Sequence, residues 1–121
     1  MSGSLLVGKR VLLVEDSPVV ADFAADVLNE LGCIVVGPAP NMAEARRLSS
    51  EALLDAAIVD VRIRGEKSYP ICDILEARHV PFLLTSGYAD WSLPAKWVDQ
   101  PTLTKPYRLE DVEVGLSELF V

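Results

Sequence analysis

The sequence has no surplus of positive charge. Eleven lysines and arginines stand against 18 aspartates and glutamates, a formal net charge of −7 over 121 residues. Binders of the phosphate backbone carry a basic stripe, and none is visible, so nucleic acid is not an expected partner. No apolar run approaches the roughly 20 residues that span a bilayer, so no membrane partner is expected either. The start, Met1 to Arg10, has no basic segment ahead of its short apolar one and does not read as a secretion signal. A cytoplasmic location is the expectation. Only two cysteines occur, Cys33 and Cys72, without metal-ligand spacing. They fit buried thiols better than a disulfide or a zinc site. Repeats and low-complexity stretches are absent.

What is present is a 50% apolar, 24% charged chain of one-domain length, enough for a real core. Its pattern alternates short β-like runs with helical ones. Lys9 to Glu15 is almost wholly apolar at its centre, as a strand buried on both faces would be. Val19, Val20, Phe23, Ala24, Val27, Leu28 and Leu31 then recur at helical spacing, with Ser17 as N-cap, Pro18 in the first turn and Gly32 as the stop. Cys33 to Val36 is a second strand, expected to end at Gly37-Pro38. Asn41 and Glu44 resemble a capping box opening a helix through about Leu48. Ala56–Asp60 is a third strand, and Pro70 opens a third helix with Ile71, Ile74 and Leu75 inward. Pro81–Ser86 and Thr102–Thr104 are the fourth and fifth strands, and Leu109, Val112, Leu116, Leu119 and Phe120 mark a last helix. Pro94 interrupts Tyr88 to Gln100, so any helix there is expected to be short or mobile. Residues 1–8 are expected to form a flexible N-terminal extension of a domain covering the whole chain.

This alternation predicts an α/β fold: a doubly wound, five-stranded parallel sheet with helices on both faces, of the flavodoxin-like type. In such folds the functional crevice lies beyond the carboxyl ends of the strands. Glu15-Asp16, Asp60, Thr85-Ser86-Gly87 and Lys105-Pro106 stand there. Three carboxylates placed together repel one another unless a hard cation joins them, and oxygen ligands of this kind suit Mg²⁺. One carboxylate can then be a nucleophile towards phosphorus, with metal and ammonium neutralising the transferring group. A lone aspartate at a strand end is ordinarily a loop cap. Four such groups at successive strand ends single out Asp60.

The constellation resembles the receiver domain of bacterial response regulators over nearly the whole chain. The resemblance implies a phosphoprotein of a two-component system or phosphorelay, with Asp60 as phosphoacceptor and a histidine kinase or histidine phosphotransfer protein as donor. It implies Mg²⁺ held by Asp16, Asp60 and the backbone carbonyl of Arg62, with Glu15 acting through water. Lys105 and one hydroxyl would bind the phosphate. Counting five residues from Pro81 gives Ser86 for that hydroxyl, with Thr85 the neighbour on the opposite face. Pro81-Phe-Leu-Leu-Thr-Ser-Gly-Tyr88 and Leu103-Thr-Lys-Pro-Tyr107 look like a subgroup of stand-alone receivers with a Phe-Ala-Thr-Gly-Tyr segment. The stretch from Asp60 to Pro70 fits the same subgroup. Many receivers place a switching aromatic three residues before the lysine; here that position is Thr102, leaving Tyr88 and Tyr107 as aromatic candidates. The signal is expected to leave through the fourth and fifth strands and the helices that follow them, towards a protein effector.

Other readings compete. Aspartyl-nucleophile phosphatases need a second acid two residues after the nucleophile, and Arg62 stands there. Enzymatic turnover is therefore not expected beyond intrinsic gain and loss of the phosphoryl group. A flavin or nucleotide carrier would need a Gly-rich loop after the first strand, where Glu15-Asp16-Ser17-Pro18 would repel phosphate. A receiver-like scaffold that works by binding alone stays open, kept so by Thr102. Arg62, Arg64 and Lys67 read as a solvated loop rather than a kinase contact, and His79 as a partner of a helix dipole. Trp91 and Trp97 read equally as core anchors or a contact patch.

Overall fold

The structure, a computed structural model, describes residues 5–87 and 93–121. The five strands are β1 (Arg10–Val14), β2 (Ile34–Ala39), β3 (Ala56–Asp60), β4 (Phe82–Ser86) and β5 (Thr102–Thr104). They form one parallel sheet in the order β2-β1-β3-β4-β5. Four helices connect or follow them: α1 (Pro18–Glu30), α2 (Met42–Glu51), α3 (Tyr69–Ala77) and α4 (Leu109–Leu119). The predicted doubly wound architecture is the observed one.

Strand alternation sorts the core into two layers. Leu12, Val14, Ala57, Val59, Phe82 and Leu84 pack with Ala45 of α2 and Ile71, Cys72 and Leu75 of α3. Val11, Leu13, Ala56, Ile58 and Leu83 pack with Ala24, Val27 and Leu28 of α1 and Val112 and Leu116 of α4. β3 is buried along its whole length, which is why it reads as an unbroken apolar run ending in one charged residue. Both cysteines are buried free thiols, as expected, and burial pushes the Cys72 thiol up to about 12.

The caps read from sequence hold. The Ser17 hydroxyl accepts the Val20 N–H and the Asn41 side chain accepts the Glu44 N–H. Gly32 adopts φ +85°, with the Cys33 N–H returning to the Leu28 carbonyl at 2.9 Å, a left-handed helix stop.

Several expectations need correction. β2 does not end at Gly37-Pro38 but runs through to Ala39. The pairing with β1 steps from Leu12↔Val36 to Val14↔Ala39, absorbing one extra residue as a bulge does. Residues 5–8 of the expected flexible extension are tied down. Leu6 is fully buried, and its carbonyl accepts the Lys9 N–H and the Cys33 thiol; the Gly8 N–H donates to the Gly32 carbonyl. The basic cluster after β3, Arg62, Arg64 and Lys67, is exposed as expected, but local pattern gave no sign that Arg62–Ile63 and Glu66–Lys67 pair as a miniature antiparallel hairpin around Arg64 and Gly65. Both turn residues have positive φ, +49° and +82°, the twist a two-residue hairpin turn requires. His79 lies just past α3 in the left-handed region, φ +58°.

Within the stretch from Tyr88 to Gln100, residues 88–92, with Tyr88 and Trp91, lie outside the described residues. The remainder contains a single 3₁₀ turn, Ala95–Trp97. Trp97 is a core anchor: it is 4% exposed and meets the Phe82 ring edge-on, centroids 5.6 Å apart.

Candidate functional site

Three strand ends deliver the site. β1 hands its chain to Glu15 and Asp16, β3 ends on Asp60, and the turn after β5 carries Lys105. One ligand oxygen from each of Glu15, Asp16 and Asp60 lies within 4.8 Å of the others. The Lys105 ammonium bridges two of them, 2.7 Å from Glu15 Oε1 and 2.8 Å from Asp60 Oδ2. One cation against three acids leaves the cluster negative. A hard oxygen-preferring cation fits that donor set.

Burial sets the electrostatics. The Glu15 side chain is 2% exposed and that of Asp60 is 8%. Desolvation raises the Glu15 pKa and the Asp60 charge adds to it, while bonds from Lys105 and the Ser17 N–H pull it partly back. Burial acts to lower the Lys105 pKa, but its bonds to Asp60 and Glu15 win and hold the ammonium above its ordinary value. Tyr107 is buried close by and stacks at a tilt on Phe23, centroids 6.0 Å apart. Burial first, and the Glu15 charge second, push its phenol up to about 12.

Asp60 is held by its neighbours. The Ser68 hydroxyl donates to the Asp60 carbonyl at 2.6 Å, and the Arg62 N–H approaches Asp60 Oδ1 at 3.3 Å. Asp60 pairs in register with Thr85, and Ser86 with Thr104. By alternation Thr85 shares the face of Leu83, and Ser86 that of Phe82 and Leu84. Both are buried, and Ser86 Oγ has no hydrogen-bond partner among the described residues. The Lys105 N–H donates to the Ser86 carbonyl at 2.8 Å, so the hydroxyl-bearing strand end and the lysine are joined through the backbone. Thr102 is exposed on the edge strand, paired in register with Leu84, one residue short of the level of Thr85 and Asp60.

Two contributors had no local sequence signal. Ser68 precedes α3 and looks like an N-cap, yet its hydroxyl reaches back to Asp60. Arg64 reads as one of a basic cluster, yet its N–H donates to Asp16 Oδ2 at 2.7 Å and its Nε to the Pro40 carbonyl at 3.1 Å.

No protein-family model matches the chain, and no curated protein does. Solved structures do. SdrG from Sphingomonas melonis Fr1, known as a solution structure, is 37% identical, with a TM-score of 0.82 over 97% of this chain and 98% of that one. PhyR from Brucella abortus, a response regulator, matches at 22% identity and a TM-score of 0.80; this chain spans 50% of it. The receiver domain of the sensor histidine kinase PA1611 from Pseudomonas aeruginosa PAO1, which has a magnesium ion in its active-site cleft, matches at 23% and 0.81, over 94% and 98% of the two chains. The chain belongs to the response-regulator receiver domains.

Proposed function

We propose that this receiver takes a phosphoryl group onto Asp60 from a histidine kinase or histidine phosphotransfer protein and relays its presence to a protein effector. The observation that carries the reading is the meeting of Asp60 with Glu15, Asp16 and the Lys105 ammonium at adjoining strand ends. An Asp60 carboxylate oxygen attacks phosphorus, the bond from phosphorus to the donor's imidazole nitrogen breaks, and that nitrogen keeps the electron pair. Lys105, already 2.8 Å from Asp60, stabilises charge on the transferring oxygens. Asp16, Asp60 and the Arg62 carbonyl would hold Mg²⁺, with Glu15 through water, and the ion would neutralise the incoming phosphate. The pairing of Glu15 with Lys105 suits that outer role.

Phosphorylation adds about −1.5 to −2 charges and three acceptor oxygens. Ser86 is the hydroxyl proposed to answer them, its buried and unpartnered Oγ being ready for an acceptor. Its movement would pull on Gly87 and on the stretch to Gln100, with Tyr88 or Tyr107 in the aromatic role that Thr102 cannot fill. Thr85 is the secondary hydroxyl. The segment Pro81–Tyr88 supports placing the chain in the Phe-Ala-Thr-Gly-Tyr subgroup. Turnover is limited to the domain's own aspartyl phosphate. Beside the site, exposed Val19 and Phe23 line an apolar groove of about 480 Å³ with Val20, Pro106 and Tyr107, a surface suited to a protein donor. A phosphotransfer screen against labelled histidine kinases tests the reading. Rapid, Mg²⁺-dependent passage of label from one kinase is expected, and no transfer from any donor would overturn it.

A further inference from the structure

The hairpin after β3 does more than connect Asp60 to α3. Its turn residue Arg64 makes two contacts with distant chain, the N–H to Asp16 Oδ2 at 2.7 Å and Nε to the Pro40 carbonyl at 3.1 Å. These join the loops after β1, β2 and β3 at one point above the sheet. Arg64 holds φ +49°, a left-handed conformation that glycine and asparagine adopt more readily than arginine. What arginine adds there is reach, since neither of those residues could span to Pro40.

We infer that Arg64 is a positioning residue for Asp16: its N–H fixes the carboxylate, and its guanidinium pins the turn so that the N–H stays in place. The inference rests on the proposed reading of Asp16 as a metal ligand. A carboxylate carries about four lone-pair directions. Occupying one on Oδ2 from outside orients the group and leaves the others for the ion that would join Asp16 to Asp60 and Glu15. An untethered Asp16 would spend part of its time turned to solvent, away from the other two acids. The contact also couples the hairpin, which begins two residues after the phosphoacceptor, to the metal ligands.

Arg64→Asn separates the two functions of the residue, because asparagine keeps the left-handed turn and loses only the anchor. With Mg²⁺ alone as probe, amide chemical shifts of the full chain are followed through a titration, together with amide exchange at position 64 and metal-free melting. Metal-free melting is expected to match wild type, as the turn is exposed. Mg²⁺ binding is expected to weaken about three- to tenfold, the range that losing one net hydrogen bond gives, and the amide at position 64 to exchange faster. Arg64→Lys, whose ammonium reaches the same carbonyl, is expected to recover most of the affinity even if the asparagine variant is less stable. A wild type that binds Mg²⁺ beside an R64N that binds it equally would overturn the inference alone, as would an R64K no better than R64N. A wild type with no Mg²⁺ response would overturn the metal reading and the inference together.

Discussion

The Lys105 ammonium bridges Glu15 and Asp60 within the acid cluster, and replacing it by methionine isolates what that charge contributes. Methionine keeps the length and apolar stem, so the loss is mainly the ammonium and its two bonds, at 2.7 and 2.8 Å. Glu15 and Asp60 would then face each other without the cation, both nearly buried. Breaking a buried ion pair costs about 3–5 kcal/mol. Lys105 is itself 22% exposed, so water can enter in its place and the cost at neutral pH should fall to about 2–4 kcal/mol. Acid should relieve it. The folded-state pKa of Glu15 already lies above its ordinary value, so the folded protein binds that proton more readily than the unfolded chain does. Stability from this group therefore falls as pH rises through the folded pKa, and more steeply in the variant, where the lysine no longer offsets burial. Urea unfolding followed by fluorescence of buried Trp97 should show a large gap between wild type and K105M at pH 7 that narrows towards pH 5. A variant as stable as wild type at pH 7, or a gap that widens on acidification, would refute the reasoning.

Asp16→Asn should stabilise the metal-free protein by about 1 kcal/mol, since it removes one of three clustered charges while its amide oxygen can still accept the Arg64 N–H. The same change should abolish the rise in melting temperature with Mg²⁺, which a titration by differential scanning calorimetry would read. Ser86→Ala should change resting stability by no more than about 1 kcal/mol, as the hydroxyl makes no bond to the described residues. It should nevertheless remove the spectral changes that beryllofluoride, a phosphoryl mimic, induces in residues 87–100. Equal responses in the two proteins would shift the switch to Thr85.

The parallel sheet was legible because its three central strands are buried on both faces, so Leu12 to Val14, Ala56 to Val59 and Phe82 to Leu84 stand out as unbroken apolar runs. The groups at their ends were legible for the same reason: a charge or hydroxyl that ends such a run must sit at the sheet edge. Local chemistry also marked the helix starts at Ser17 and Asn41. The hairpin at Arg62–Lys67 was hidden because two-residue strands carry no period, and its turn places an arginine where glycine or asparagine is the usual signal. The length of β2 is hidden because Gly37-Pro38 reads as a turn, whereas a bulge carries the strand through it. Contacts between remote residues leave no trace in local pattern. Arg78, which donates to the Ser49 and Ala52 carbonyls at 2.6 and 2.8 Å and so closes the end of α2, is one case. The tie from Arg64 to Asp16, 48 residues apart, is another.

The measurement that bears most directly on Asp60 as phosphoacceptor uses acetyl phosphate, which needs no cognate kinase. Wild type and Asp60→Asn are incubated with the donor and Mg²⁺, and intact mass is recorded under acidic conditions that preserve an acyl phosphate. Asparagine keeps the shape of the side chain but is no nucleophile. The wild type should gain the mass of one phosphoryl group, lose it in base, and show none of it without Mg²⁺, while D60N gains nothing. A D60N protein that takes up one phosphoryl group at the wild-type rate would contradict the account.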